Sequence, residues 1–342
     1  MTYRIALNFE DGETRFIECK PGENVLDAAY RQKVNLPMDC SDGVCGTCKC
    51  HCEQGEYDLG DDFIEDALTE DEAQERLVLT CQMTPSSDCI ISVPVPSTAC
   101  KIKPAEHQGV ITAVEQASDS TIVLRMALDR PEELNFLPGQ YVNLTVPQTE
   151  AHRSYSFSSK PGSAEASFLI RNLEGGLMSG WLTGKAAIGE RLSFVGPSGS
   201  FFLRAVERPV IMLAGGTGLA PLLSMLEVLA DQGSDHPVHL IYGVNTDRDL
   251  VEMERLAALQ ARLPKLTFAA CVVDEASQNE LKGYVTHHLA DEHLNAGDCD
   301  VYLCGPPPMV EAVRIFLRDK GVTPVHFYYE KFAASEPAQA AA

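Results

Sequence analysis

The placement of four cysteines constrains this chain more than any other feature. Cys40, Cys45 and Cys48 follow the pattern C-x4-C-x2-C, and Cys81 comes after a further thirty-two residues. A short loop can aim three sulfurs at one centre only if its backbone turns sharply, and Gly43 and Gly46 permit that. The loop amides can then face the centre and stabilise negative charge on it. The fourth sulfur must come from elsewhere, and Leu79-Thr80-Cys81 supplies it. Four thiolates at this spacing are the ligand set of a [2Fe–2S] cluster. A zinc ribbon would need a second C-x2-C, which is absent. Cys50 and Cys52 adjoin the loop, whereas Cys19, Cys89, Cys100, Cys271 and Cys299 read as small buried apolar residues.

The compartment decides whether twelve cysteines mean disulfides or metal. The opening MTYRIALNFEDG lacks the basic start and apolar core of a secretion signal. A cytoplasmic chain with reduced thiols is therefore expected, and clustered cysteines then favour metal. The net charge of −22 argues against nucleic acid and anionic membrane surfaces as partners. Pro209 to Leu226 is uncharged, but Gly215, Gly216, Gly218 and Pro221 would break a membrane-spanning helix. A buried strand, a glycine turn and a helix suit it better.

With 342 residues, two to three domains are expected. Tyr3, Ile5, Leu7 and Phe9 alternate as a half-buried strand, and Thr14 to Cys19 reads as its hairpin partner across Asp11-Gly12. A short helix is expected over Asn24 to Lys33, with Val25, Leu26, Ala28 and Ala29 inward, and a strand over Cys89 to Val95. Residues 1–97 thus form a small α+β unit, and 98–107 a linker. Residues 108–206 offer short strands between Gly and Pro turns, the signature of an antiparallel β-barrel. Residues 207–342 change to an α/β pattern, with strands at 209–214, 238–243, 267–273 and 300–304 and helices at 220–231, 249–262 and 307–320. That alternation implies a parallel sheet.

Two further motifs carry chemistry. Arg153-Ser154-Tyr155-Ser156-Phe157-Ser158-Ser159 precedes Gly175-Gly176-Leu177-Met178-Ser179, a glycine-rich approach to a helix start that suits a pyrophosphate. Here the chain resembles the ferredoxin–NADP reductase superfamily, in which R-x-Y-S binds FAD. The resemblance implies that Tyr155 packs on the isoalloxazine and Ser156 lies near flavin N5. It also implies that Arg153 and Ser179 bind the diphosphate, with Gly176 and Met178 among the cofactor-binding residues. Ala214-Gly215-Gly216-Thr217-Gly218-Leu219-Ala220-Pro221 follows a buried strand and opens a helix. It departs from the dinucleotide fingerprint, since Pro221 falls where a third glycine belongs, but resembles the G-G-T-G-x-x-P loop of that superfamily. By the same resemblance Cys304 and Gly305, in Cys304-Gly305-Pro306-Pro307-Pro308-Met309, lie beside the nicotinamide. Glu330 would support hydride transfer, and Phe332 would cover the flavin. The loop from Gly243 to Asp249 holds Arg248 between Asp247 and Asp249, which favours NADH because a 2′-phosphate wants uncompensated positive charge.

The order is cluster, flavin, nicotinamide. An N-terminal plant-type ferredoxin (a β-grasp fold), followed by an FAD barrel and a Rossmann-like NAD domain, resembles the reductases of aromatic-ring dioxygenases, above all those of benzoate and toluate. The segments Pro37-Met38-Asp39-Cys40, Ala28-Ala29-Tyr30-Arg31-Gln32, Tyr302-Leu303-Cys304-Gly305-Pro306 and Glu330-Lys331-Phe332 carry that likeness. It implies an electron-transfer enzyme: NADH gives two electrons as hydride, a [2Fe–2S] cluster takes one at a time, and flavin lies between. Plant-type clusters sit near about −400 mV and Rieske centres at about −150 to +300 mV, so delivery to a Rieske oxygenase runs downhill. Two alternatives stand beside this: a reductase for a diiron monooxygenase, and a redox sensor without turnover. A hydrolase is disfavoured, because Ser198 does not lie in a G-x-S-x-G elbow. Residues 60–75 hold Asp61, Asp62, Glu65, Asp66, Glu70, Asp71, Glu72 and Glu75, either a solvated face or a docking patch for a basic oxygenase surface.

Overall fold

A computed structural model describes residues 2–38, 42–98 and 105–332. The chain forms two compact units, one ending before Ala105 and one beginning there, with Pro197–Ser200 falling to the first.

The first unit is a five-stranded mixed sheet packed on a short helix. Its elements are β1 (Tyr3–Phe9), β2 (Thr14–Cys19), α1 (Val25–Arg31), β3 (Lys49–Gln54), β4 (Tyr57–Asp58), α2 (Glu70–Gln74), β5 (Leu77–Leu79), β6 (Thr84–Pro85) and β7 (Cys89–Val93). The order is β2-β1-β7-β3-β5, with β1 and β7 parallel. The expected alternation holds: Ile5, Leu7 and Phe9 are buried, while Arg4 is exposed. Asn24 caps α1 by accepting from the Asp27 amide, and Val25, Leu26, Ala28 and Ala29 face the core. Thr69 and Glu72 form a capping box on α2, and Glu72 is buried against Lys49 Nζ at 2.7 Å.

The second unit begins with a six-stranded antiparallel sheet of β8 (Ala105–Gln116), β9 (Thr121–Leu128), β10 (Tyr141–Thr145), β11 (His152–Ser156), β12 (Glu165–Arg171) and β13 (Arg191–Ser198, of which residues 191–196 count in this unit), and includes α3 (Leu177–Gly184). The order β11-β10-β13-β8-β9-β12 curls until Phe157 bridges Phe168, nearly closing a barrel. Phe136, Phe157 and Phe168 fill it, the first two stacked at 3.8 Å between ring centroids. Ala105, Glu106 and His107, read from the sequence as linker, start β8 instead. They pair with β13, and His107 stacks on Phe194 at 5.4 Å.

The rest of this unit is a parallel sheet, β17-β16-β15-β14-β18-β19. Its elements are β14 (Val210–Gly215), α4 (Leu219–Gln232), β15 (Val238–Val244), α5 (Met253–Arg262), β16 (Leu266–Val272), β17 (Leu281–Lys282), α6 (Asp291–Leu294), β18 (Asp300–Gly305), α7 (Pro307–Asp319) and β19 (His326–Lys331). Val210 to Ala214 are at most 1% exposed, as a strand covered on both faces demands. Two expectations needed correction. Helix α5 starts at Met253 rather than 249, because Asp247–Asp249 is a separate 3-10 turn and Glu252 has φ 60°. The C-terminal segment forms a strand, β19, which no periodicity announced. Among the described residues no helix is long and apolar enough to cross a membrane.

Candidate functional site

The cysteine loop has the backbone its chemistry requires. Gly43 and Gly46 have φ of 76° and 71°, where an L side chain is strained. A Cβ on Gly43 would also lie 2.5 Å from the Asp62 carbonyl oxygen. Strand pairing then brings Cys81, the expected fourth ligand, beside the loop. Lys49 of β3 faces Leu79 of β5, the Thr80 amide donates to the Cys48 carbonyl at 3.2 Å, and Cys48 Sγ comes within 3.3 Å of Cys81 Sγ. Two sulfurs on one tetrahedral metal ion, with bonds of about 2.3 Å, stand about 3.8 Å apart. The pair therefore fits two ligands of one ion with little movement. The hydrogen bond to Cys81 and burial push the Cys48 thiol up, as expected for sulfurs crowded together away from water. Cys45 is half-buried and accepts from the Thr47 amide at 3.4 Å. Among the described residues no three His, Cys, Asp or Glu side chains converge on one point. Cys40 and Cys100 lie outside the described residues. Cys19, Cys50, Cys52, Cys89, Cys271 and Cys299 are buried.

The flavin motif lies on β11. Tyr155 pairs with Val142 and packs against the barrel core, and burial pushes its phenol up. Arg153 is half-buried, with its guanidinium donating to the His152 carbonyl at 2.8 Å. Gly176 stands at the start of α3, where no side chain caps the first amides. An uncapped helix start suits a phosphate. Ser179 and Met178 follow in the first turn of α3. The Ser179 hydroxyl donates to the Leu173 carbonyl at 2.9 Å and so fastens the loop. The Met178 side chain is buried in the barrel core, leaving its backbone for a ligand.

The nicotinamide motifs meet at the carboxyl edge of the parallel sheet. Strand order runs outward from β14 through β15 on one side and through β18 on the other, so the topology switches between β14 and β18. Ligands of open α/β sheets bind at such a switch point. Gly215, Gly216, Thr217 and Gly218 turn there into α4, and Gly305 ends β18. Gly218 is required by close approach, since a Cβ would sit 2.2 Å from the Cys304 carbonyl oxygen. The register sets Ala214, Cys304 and Glu330 side by side. Cys304 Sγ lies 4.0 Å from Glu330 Oε2, and Ser156 Oγ donates to the same oxygen at 3.2 Å. Burial holds the Cys304 thiol protonated well above its ordinary range. One carboxylate thus joins the flavin strand to the nicotinamide loop. The Phe332 amide donates to the Gly305 carbonyl at 2.8 Å, fixing the chain just past Glu330.

Asp247 is held by Ser277 and by the Gln278 amide at 3.0 Å, and these bonds keep its carboxyl below the usual range. Arg248 is exposed and lies 3.7 Å from Asp119. Sequence reasoning missed Ser120 and Arg255, and the pairing of Asp249 with Ser120. Ser120 donates to Asp249, and Arg255 to the Ser158 carbonyl, tying the barrel to the α/β sheet. No motif marks these residues, because their partners are far away in the chain.

Comparison with known proteins agrees with this arrangement. A 2Fe-2S iron-sulfur cluster binding domain matches residues 8–86, an oxidoreductase FAD-binding domain 108–203, and an oxidoreductase NAD-binding domain 212–315. The chain is 55% identical to the toluate 1,2-dioxygenase electron transfer component of Pseudomonas putida, over 98% of this chain and 100% of that one. It is 48% identical to the 2-halobenzoate 1,2-dioxygenase electron transfer component of Burkholderia cepacia, over 97% and 98%. A cytochrome P450 reductase from Amycolatopsis superposes with a TM-score of 0.71 at 30% identity, covering 96% of this chain and 99% of that one. The chain therefore belongs to the electron transfer components of aromatic-ring dioxygenases, oxidoreductases that use NAD, FAD and a [2Fe–2S] cluster.

Proposed function

We propose that this protein takes hydride from NADH and delivers single electrons to the Rieske centre of a benzoate- or toluate-type dioxygenase. The observation that carries the hydride step is the meeting of Ser156, Glu330 and Cys304 at the sheet's switch point. When bound, FAD supplies the exchange between a two-electron donor and a one-electron acceptor. The chain's own residues do the rest. Cys304 and the glycine loop shape a dry crevice for the nicotinamide. Glu330 accepts the Ser156 Oγ proton's hydrogen bond and so orients that hydroxyl. Arg153 and the uncapped amides after Gly176 suit the FAD diphosphate, Tyr155 and Phe332 the ring. Gly215, Gly216, Thr217, Gly218 and Gly305 suit the nicotinamide dinucleotide, and Asp247 and Arg248 with Asp119 favour NADH over NADPH. Cys40, Cys45, Cys48 and Cys81 are the cluster ligands. The working divisions are 1–97, 105–206 and 207–342, in a protein of the reducing cytoplasm, where thiols stay available for iron.

For the partner, the full-length likeness to toluate and halobenzoate dioxygenase components supports the assignment. The acidic segment supports an electrostatic component. Glu72 is withdrawn into its pair with Lys49, but Asp61, Asp62, Glu65, Asp66, Glu70, Asp71 and Glu75 are exposed. Reconstitution with a benzoate- or toluate-type oxygenase and NADH is expected to give coupled dihydroxylation. Its rate should fall several-fold between 50 and about 300 mM salt as exposed charges are screened. Turnover only with a diiron hydroxylase would reject the partner, and a flat salt profile would reject the acidic contribution.

A further inference from the structure

The strand that carries Tyr155 and Ser156 is held at a second point by a side chain that no motif marks. Arg255, in the first turn of α5, is 26% exposed. Its Nη2 donates to the Ser158 carbonyl at 2.6 Å, its Nε to Glu227 of α4 at 3.0 Å, and its Nη1 to Glu252 at 3.3 Å. Glu227 and Glu252 are themselves largely buried, at 18% and 13% exposed. The planar guanidinium therefore has three acceptors in fixed directions, which a lysine cannot reproduce. Ser158 is no free end. It is 1% exposed, its amide donates to the Ser167 carbonyl at 2.8 Å, and its hydroxyl meets the Ser167 hydroxyl at 2.8 Å. Arg255 thus grips the barrel where it closes, two residues beyond Ser156.

The remaining ties nearby are weaker. Lys160 pairs with Asp231, but both are more than 40% exposed, and such surface pairs contribute little. Ser156 and Glu330 share a single hydrogen bond. Of these ties, Arg255 is the one that joins the Ser158 carbonyl to both Glu227 of α4 and Glu252. We propose that Arg255 is a positioning residue for hydride transfer, holding β11 in register with the Cys304–Glu330 edge. This rests on the hydride reading given above. Misplacement of reacting groups by about 1 Å can cost about 100-fold in rate, so a loosened grip should appear in chemistry before it appears in binding.

The test compares wild type, Arg255→Lys, Arg255→Met and Glu227→Gln by anaerobic stopped-flow reduction with NADH. FAD dissociation constants and the long-wavelength charge-transfer absorbance of the reduced protein with NAD+ are measured alongside. For Arg255→Met the limiting flavin-reduction rate should fall about 10- to 100-fold. The FAD and NADH dissociation constants should stay within about threefold, and the charge-transfer band should weaken. Arg255→Lys should recover part of the rate, and Glu227→Gln, which keeps the arginine but unfastens its orientation, should fall in between. A limiting rate within twofold of wild type in Arg255→Met would overturn the proposal, as would a loss that simply tracks FAD release. If Arg255→Met does not fold, Glu227→Gln decides by the same criteria. Wild type that bleaches no flavin with NADH would instead defeat the hydride reading itself.

Discussion

Replacing Cys45 with serine should abolish the paramagnetic signal that NADH elicits from the cluster, while the flavin absorbance still bleaches. Iron content should fall toward zero in the same preparation. A serine hydroxyl does not ionise as a thiol does, so the loop loses one of four anionic ligands. Cys48 and Cys81 are placed by strand pairing and by the Thr80–Cys48 backbone hydrogen bond, so both should keep their positions. Cys45, the proposed ligand on the loop, is half-buried, and the loop's course is fixed by hydrogen bonds from Ile64 to Gly43 and from Lys49 to Gly46. The substitution should therefore remove metal without unfolding the first unit. The flavin and nicotinamide sites belong to the second unit, which is why bleaching should survive. Iron-to-protein ratio, low-temperature EPR and visible absorbance check this, and an unchanged EPR signal would show that Cys45 is not a ligand.

Replacing Ser156 with alanine should slow flavin reduction by about 100-fold, comparable to removing one aligned donor from a reacting centre. The hydroxyl is 3% exposed and donates to Glu330 Oε2, the carboxylate that also approaches Cys304. Alanine removes the hydrogen bond that joins the flavin strand to the half-buried Glu330 carboxylate of β19. Strand β11 itself should hold, because Tyr155 and Phe157 remain packed in the barrel. FAD content should therefore be near normal and the loss confined to the limiting rate. Ser156→Thr, which restores a hydroxyl, should recover part of it. A rate within twofold of wild type in Ser156→Ala, measured by stopped flow at saturating NADH, would remove Ser156 from the hydride site.

Much of this was legible in the sequence, for identifiable reasons. Alternation at Tyr3 to Phe9 and the uncharged run from Val210 to Ala214 are direct records of one-sided and two-sided burial. The glycines at 43, 46 and 218 could be read because backbone geometry or close approach leaves no substitute there. Strand β19 was not legible, since its residues are only half-buried and carry no clean period. Nor was the early start of β8, where His107 finds Phe194 far along the chain. The side-chain contacts of Ser179 and Met178 were not legible either. One hydroxyl fastens its own loop and one side chain fills the barrel, contacts that depend on neighbours rather than on spacing. Arg255 and Ser120 were invisible for the same reason, because each acts on a partner roughly a hundred residues away or more.

The central claim is that one polypeptide carries electrons from a nicotinamide through a flavin to its own iron–sulfur centre. Anaerobic titration of the purified protein with NADH, followed by visible absorbance and EPR together, tests it most directly. Loss of the flavin band followed by a rhombic signal from a reduced [2Fe–2S] centre is the predicted course. Protein that carries iron and flavin yet shows bleaching with no cluster signal at any NADH excess would contradict it.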